Sequence, residues 1–168
     1  IPRIISCSEI TDDYLVLPRG CEDAVRDILT QHNVKVMISD KTNHGRSIKV
    51  TFRGGLREEQ QKAMEAFAGH NIGTLSATTA FGKTVFAIGM LARRKVNTLI
   101  LVHNKALLEQ WKERLETFLK IDEIVEEPAA KRGRKKNSSV IGCLYAGKNT
   151  LHVIIDIAFI QSCLSDGE

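Results

Sequence analysis

At 168 residues, with 43% hydrophobic and 26% charged side chains, the chain has globular composition and the length of one domain or one and a half. Its 24 lysines and arginines against 20 acidic residues leave +4, too mild a surplus to mark a nucleic-acid binder by itself. The longest apolar runs, such as Thr98 to Val102 and Val153 to Ile155, are strand-sized and far short of a membrane span.

The start, Ile1-Pro2-Arg3, has no Met and no signal-peptide pattern, so a piece of a longer cytoplasmic protein is expected. Cys7, Cys21, Cys143 and Cys163 form no C-x-x-C pair and have no histidine cluster beside them. A zinc site or disulfide framework is therefore not expected; reduced and mostly buried thiols are.

In chain order, short strands are expected at Arg3–Cys7 and Tyr14–Leu17, then a turn at Pro18-Arg19-Gly20. Ala24, Val25, Ile28 and Leu29 have helical spacing and predict a helix over 21–32. Val34–Ile38 and Ser47–Phe52 read as strands around a loop at 40–45. Residues 1–55 thus read as a small α+β module, with Gly54-Gly55 as its boundary. From Leu56 to the end at 168 the pattern alternates. Helices are expected at Glu58–Ala68, Lys83–Arg94 and Lys105–Leu119, and strands at Gly73–Ala77, Asn97–Val102, Val140–Leu144 and Leu151–Ile155. That order predicts an α/β domain with a mainly parallel sheet covered on both faces. Residues 121–138 interrupt it with a polar, basic insert expected to be mobile.

The most informative stretch is Ala77-Thr78-Thr79-Ala80-Phe81-Gly82-Lys83-Thr84, between an expected strand and an expected helix. A tight loop at a helix N-terminus directs backbone N–H groups inward, and the helix dipole favours negative charge. Gly82 allows close backbone approach. Lys83 offers a compact cation to the β- and γ-phosphates, and the Thr84 hydroxyl is a hard oxygen ligand for Mg²⁺. Two residues depart from the general pattern: Ala77 replaces its first glycine, and Ala80 stands where glycine is frequent. If position 80 needs φ > 0, Ala80 costs on the order of 1 kcal/mol.

With these blocks in place, residues 56–162 resemble the first RecA-like domain of superfamily 2 helicases, the DEAD/DEAH-box-like group. Within it, the branch with excision-repair DNA helicases and type III restriction motor subunits is the most similar. Leu56-Arg57-Glu58-Glu59-Gln60 resembles the family's L-R-x-x-Q block, which places Arg57 and Gln60 at the nucleotide with Gln60 reading adenine. A carboxamide matches adenine's donor–acceptor edge; an ordinary surface glutamine is the alternative. The resemblance makes Thr79, Ala80, Phe81, Gly82, Lys83 and Thr84 the ATP·Mg²⁺ loop.

Leu99 to Lys105, followed by Leu107, Leu108, Gln110 and Trp111, resembles a block whose strand-to-helix loop touches the nucleic-acid backbone. His103, Asn104 and Lys105 are its candidates; Asn104 stands where many relatives have arginine, and Leu107, Leu108 and Trp111 read as core. Gly147 and Lys148, then Gln161 and Ser162, resemble later strand-contacting blocks. An exposed turn and a helix start are the alternatives.

His152-Val153-Ile154-Ile155-Asp156 has the outline of a metal-binding strand end, but Ile157 stands where the helicase pattern has glutamate. That reading is rejected, and the Asp-Glu block is expected beyond Glu168. Arg132-Gly133-Arg134-Lys135 is a poor match to a minor-groove hook and reads as a solvated loop. Residues 1–55 resemble the DNA-engaging module that precedes the motor in some repair helicases; a scaffold role is equally compatible. The resemblance therefore implies the ATP-binding front of a DNA helicase or translocase, with DNA or RNA as partner and a second RecA-like domain elsewhere in the polypeptide. A P-loop kinase and a non-enzymatic DNA-binding regulator with a degenerate motor are the alternatives.

Overall fold

The computed structural model describes residues 6–125 and 139–164. The expected strand at Arg3–Cys7 lies mostly outside them. So do the 126–138 part of the insert, with its Arg132–Lys135 run, and the last residues from 165 on. The chain divides into two compact units, residues 1–42 and 43–168.

In the first unit, β1 (Glu9–Ile10) and β2 (Leu15–Val16) form a small antiparallel hairpin. Thr11 closes its turn: the backbone N–H and hydroxyl of Thr11 both donate to the Tyr14 carbonyl, at 2.8 and 3.1 Å. Helix α1 (Glu22–Gln31) begins with Glu22 and Asp23, which suit its positive end. It stops at Asn33, whose left-handed φ of 56° lets the Val34 N–H reach back to the Leu29 carbonyl. No described residue of this unit is buried. The strand expected at Val34–Ile38 does not form, because no neighbouring strand satisfies its backbone.

The expected boundary at 54–55 is displaced. Residues 46–53 belong with the second unit: Ile48 and Val50 are in its core, and β3 (Val50–Phe52) pairs antiparallel with β5 (Leu119–Ile121). The N–H of Ile48 donates to the Lys95 carbonyl and that of Asn97 to the Arg46 carbonyl, which ties this stretch to the end of the helix Lys83–Arg94. The pairing is hidden in the sequence because β5 follows the helix Lys105–Phe118 without a break, so its residues read as the helix end and the start of the insert.

The remaining elements are α2 (Glu58–Ala68), α3 (Lys83–Arg94), β4 (Thr98–Val102), α4 (Lys105–Phe118), β6 (Ile141–Tyr145), β7 (Lys148–Asn149), β8 (Ile155–Phe159) and the short α5 (Ile160–Cys163). One sheet has the order β4-β8-β6-β7; β4, β8 and β6 are parallel and β7 runs antiparallel at the edge. Helix α4 packs on β4 and β8, and α3 lies against α4 and β3. Ile88, Leu115, Ile155 and Ile157 are fully buried between these layers. This mixed α/β architecture with its parallel sheet is a partial RecA-like domain.

Three local expectations are corrected. Residues 73–77 form no strand, having no sheet partner among the described residues. The sheet is not covered on both faces at β4: Leu99 and Leu101 are 56% and 52% exposed, alternating with Thr98, Ile100 and Val102, which face the interior. The strand expected at Leu151–Ile155 lies four residues later, because Val153 adopts φ 58° and breaks the extended run before Ile155. Of the cysteines, only Cys143 is buried; Cys7 and Cys163 are exposed and Cys21 is intermediate.

Candidate functional site: a clamped loop at the start of α3

Residues Thr79–Phe81 form a single 3₁₀ turn, with the Phe81 N–H bonded to the Thr78 carbonyl at 3.2 Å. Gly82 follows at φ 78°, ψ 45° and caps α3. A side chain here would be strained twice: by the left-handed backbone and by a Cβ 2.9 Å from Gln60 Nε2. Ala80 is not among the residues with positive φ, so its expected penalty does not arise. The exposed Lys83 folds over the loop, its Nζ 3.0 Å from the Thr78 carbonyl oxygen. Thr84 is half-buried one residue later.

Helix α2 grips this loop from outside. Gln60 is 3% exposed. Its Oε1 accepts from the Arg57 N–H at 2.9 Å, and its Nε2 donates to the Phe81 carbonyl at 2.7 Å. The Arg57 guanidinium donates through Nη2 to the carbonyls of Ala80 (2.9 Å) and Phe81 (2.5 Å), while Nη1 meets Glu59 at 3.2 Å. The rings of Phe81 and Phe67 both contact Phe86, at 6.0 and 5.7 Å between centroids. Glycine, lysine and threonine at a helix start, with no acidic residue in its first turn, fit a polyphosphate and its Mg²⁺. An open, largely apolar cavity of about 510 Å³ reaches from Lys83 and Thr84 along α3 past Met90, with Phe67, Leu75 and Trp111 on its walls. Trp111, expected in the core, packs half-buried against it and also lines this cavity.

The second group of expected residues converges on one edge. Because β4, β8 and β6 are parallel neighbours, Val102 pairs with Phe159 and Leu144 with Ala158. The segments that follow these strands therefore leave from the same side of the sheet. They carry His103, Asn104 and Lys105 after β4, Gly147 and Lys148 after β6, and Gln161 and Ser162 after β8. All are exposed except Ser162, which is half-buried.

Several of them also have structural duties. Asn104 caps α4: its side-chain oxygen accepts from the Leu107 N–H at 2.9 Å. An asparagine directly ahead of a helical run is itself a capping signal in the sequence. Ala146 (φ 45°) and Gly147 (φ 77°) form the two-residue turn joining β6 and β7, with positive φ at both positions. Lys105 pairs with Glu109 at 3.6 Å, and the Lys148 ammonium sits 5.6 Å from the Tyr145 ring centroid.

Asp156 belongs to neither group. It is the second residue of β8, at the opposite end of the strand from this edge, and is 7% exposed. Its two carboxylate oxygens accept from the backbone N–H groups of His152 (3.0 Å) and Val153 (2.9 Å). Its partner across the ladder, Gly142, could carry no side chain: a Cβ there would lie 2.0 Å from Asp156 Oδ1. This carboxylate closes a turn. Ligands of parallel α/β sheets gather at the carboxyl ends of strands, where Asp156 is not.

The family model described as "Type III restriction enzyme, res subunit" matches residues 53–165. The chain belongs to this family. It is a superfamily 2 helicase relative, on the branch shared by repair helicases and type III restriction motor subunits. Putative helicase 109L of Invertebrate iridescent virus 3 is 42% identical over 72 residues, 40% of this chain and 22% of that protein. "DNA 3'-5' translocase XPB2" of Sulfurisphaera tokodaii is 37% identical over 67 residues, 40% of this chain and 15% of that protein. "Putative DNA 3'-5' helicase Rad25" of Haloarcula marismortui is 37% identical over 129 residues, 70% of this chain and 21% of that protein. The chain thus spans at most about a fifth of the length of these relatives. Among the described residues no helix is long and apolar enough to cross a membrane.

Proposed function

We propose that the chain is the ATP-binding part of a DNA helicase or translocase motor. The observation that carries this reading is the loop at 79–84: Gly82 in the left-handed region at the start of α3, Lys83 folded over the loop, and α2 gripping its carbonyls. The family membership and the helicase and translocase names of the relatives support it.

In this reading the backbone N–H groups of residues 79–84 and the Lys83 ammonium hold the polyphosphate. The Thr84 hydroxyl supplies one oxygen to Mg²⁺. Gln60 stands on the adenine side, and Arg57 beside it contacts the loop. The edge carrying His103, Asn104, Lys105, Gly147, Lys148, Gln161 and Ser162 follows a nucleic-acid backbone; the relatives' names, DNA translocase and DNA helicase, favour DNA. Asn104 does so through its amide nitrogen, since its oxygen caps α4. Mg²⁺·ATP, when bound, would supply the γ-phosphoryl group whose transfer to water drives movement. The remaining chemistry requires an Asp-Glu pair and a transition-state cation. We assign these to an Asp-Glu block outside this sequence and to a second RecA-like domain of the same polypeptide.

Titration of Mg²⁺·ATP against the chain and against Lys83→Ala tests the proposal. Loss of the ammonium should weaken binding by roughly tenfold or more, about 1.4 kcal/mol, with an unchanged thermal midpoint. Equal affinities would refute the assignment.

A further inference from the structure

We infer that Arg57 is a positioning residue for the polyphosphate, acting from outside the loop by setting the direction of its peptide groups. This rests on the ATP-binding reading above and adds a role for Arg57 at the phosphate end rather than at the base. Arg57 precedes α2 with an extended backbone, so its side chain reaches across to the loop while its own N–H bonds to Gln60. The guanidinium meets three oxygens: the carbonyls of Ala80 and Phe81, and Glu59. The Phe81 carbonyl also accepts from the buried Gln60 amide. Two donors, one of them charged, thus turn this peptide's oxygen toward α2.

The peptide group is planar and trans, so its N–H points opposite to its C=O. With the Phe81 oxygen held toward α2, the Gly82 N–H is directed away from it. Left-handed Gly82 could otherwise swing this peptide over, because glycine has little backbone preference of its own. Arg57 and Gln60 supply the restraint that the residue lacks. The geometry is specific to a fork. An ammonium carries the same charge but cannot hold two loop carbonyls and Glu59 in one plane.

The test uses inorganic tripolyphosphate with Mg²⁺, which has no base to read, alongside Mg²⁺·ATP. Both are titrated against the whole chain, Arg57→Lys and Arg57→Ala, with thermal unfolding measured in parallel. The expected result is that Arg57→Lys, with its charge retained, binds tripolyphosphate more weakly than the unaltered chain by roughly tenfold or more, the effect of one lost charge-assisted hydrogen bond. ATP should weaken by the same factor, Arg57→Ala should bind no better than Arg57→Lys, and the unfolding midpoint of Arg57→Lys should stay in place.

Unchanged tripolyphosphate affinity in Arg57→Lys overturns the inference, and a loss confined to ATP assigns Arg57 to the base instead. A loss that appears only with a collapsed unfolding midpoint also overturns it, leaving a purely structural role. If the unaltered chain binds neither tripolyphosphate nor ATP, the ATP-binding reading itself fails, a result distinct from the other three.

Discussion

The side-chain amide of Gln60 donates to the carbonyl oxygen of Phe81 at 2.7 Å, so the residue expected to read adenine also holds the loop expected to carry phosphate. Its other end is occupied by the Arg57 N–H. Base recognition would have to draw on this one buried carboxamide, and a substitution there should act at both ends.

Gln60→Ala is therefore expected to narrow the preference for ATP over GTP and to lower stability. It leaves the Arg57 N–H without its acceptor, while the Phe81 carbonyl keeps the Arg57 guanidinium, at a cost of about 1–2 kcal/mol. Nucleotide titrations and chemical denaturation read the two effects separately. Equal binding of ATP and GTP by the unaltered chain would remove the adenine role.

Asp156 should matter for folding and not for nucleotide. Asp156→Ala leaves the His152 and Val153 N–H groups without their acceptor, at a cost of about 1–3 kcal/mol by denaturation. Mg²⁺·ATP affinity should stay the same. Gly142→Ala, which drives a Cβ into the same carboxylate, should destabilise comparably. A selective loss of Mg²⁺-dependent binding in Asp156→Ala would make this residue a metal ligand after all.

Among the described non-glycine residues with left-handed backbone, Ala146 and Val153 each offer a stabilising replacement. Ala146 begins the β6–β7 turn and Val153 precedes β8. Ala146→Asn gives this turn an Asn-Gly pair and should stabilise by about 0.5–1 kcal/mol. Val153→Gly relieves a β-branched residue in the same region and should also raise the unfolding midpoint. A lowered midpoint in both variants would contradict the turn geometry.

Thiol reactivity should separate the cysteines. Burial pushes the Cys143 thiol above its ordinary pKa, against the lowering influence of Lys112 and Lys148. Less thiolate at neutral pH and little access both slow alkylation. Mass spectrometry after brief iodoacetamide treatment should find Cys7 and Cys163 modified and Cys143 intact. Early modification of Cys143 would mean that β6 opens readily.

Much of this was legible in the sequence because it is local. Lys83–Arg94 and Lys105–Phe118 declared themselves by helical spacing, and the turn that opens the first of them by its glycine, Gly82. What escaped was set by distant partners. Strand β3 looked like part of the N-terminal module because its mate β5 lies some seventy positions on. The start of β8 was misplaced because a single carboxylate, Asp156, draws the preceding backbone into a turn. The resemblance implied a nucleotide-side role for Arg57, yet nothing in the order of residues said that its guanidinium would meet the loop carbonyls.

The most direct measurement is an amide-resolved titration: backbone N–H resonances of the isotopically labelled chain followed as Mg²⁺·ATP is added. The largest shifts should fall on residues 79–86 with Arg57 and Gln60, and those of residues 152–157 around Asp156 should hardly move. Shifts centred on 152–157 with a silent 79–86 loop would contradict the placement of the phosphate site at the start of α3.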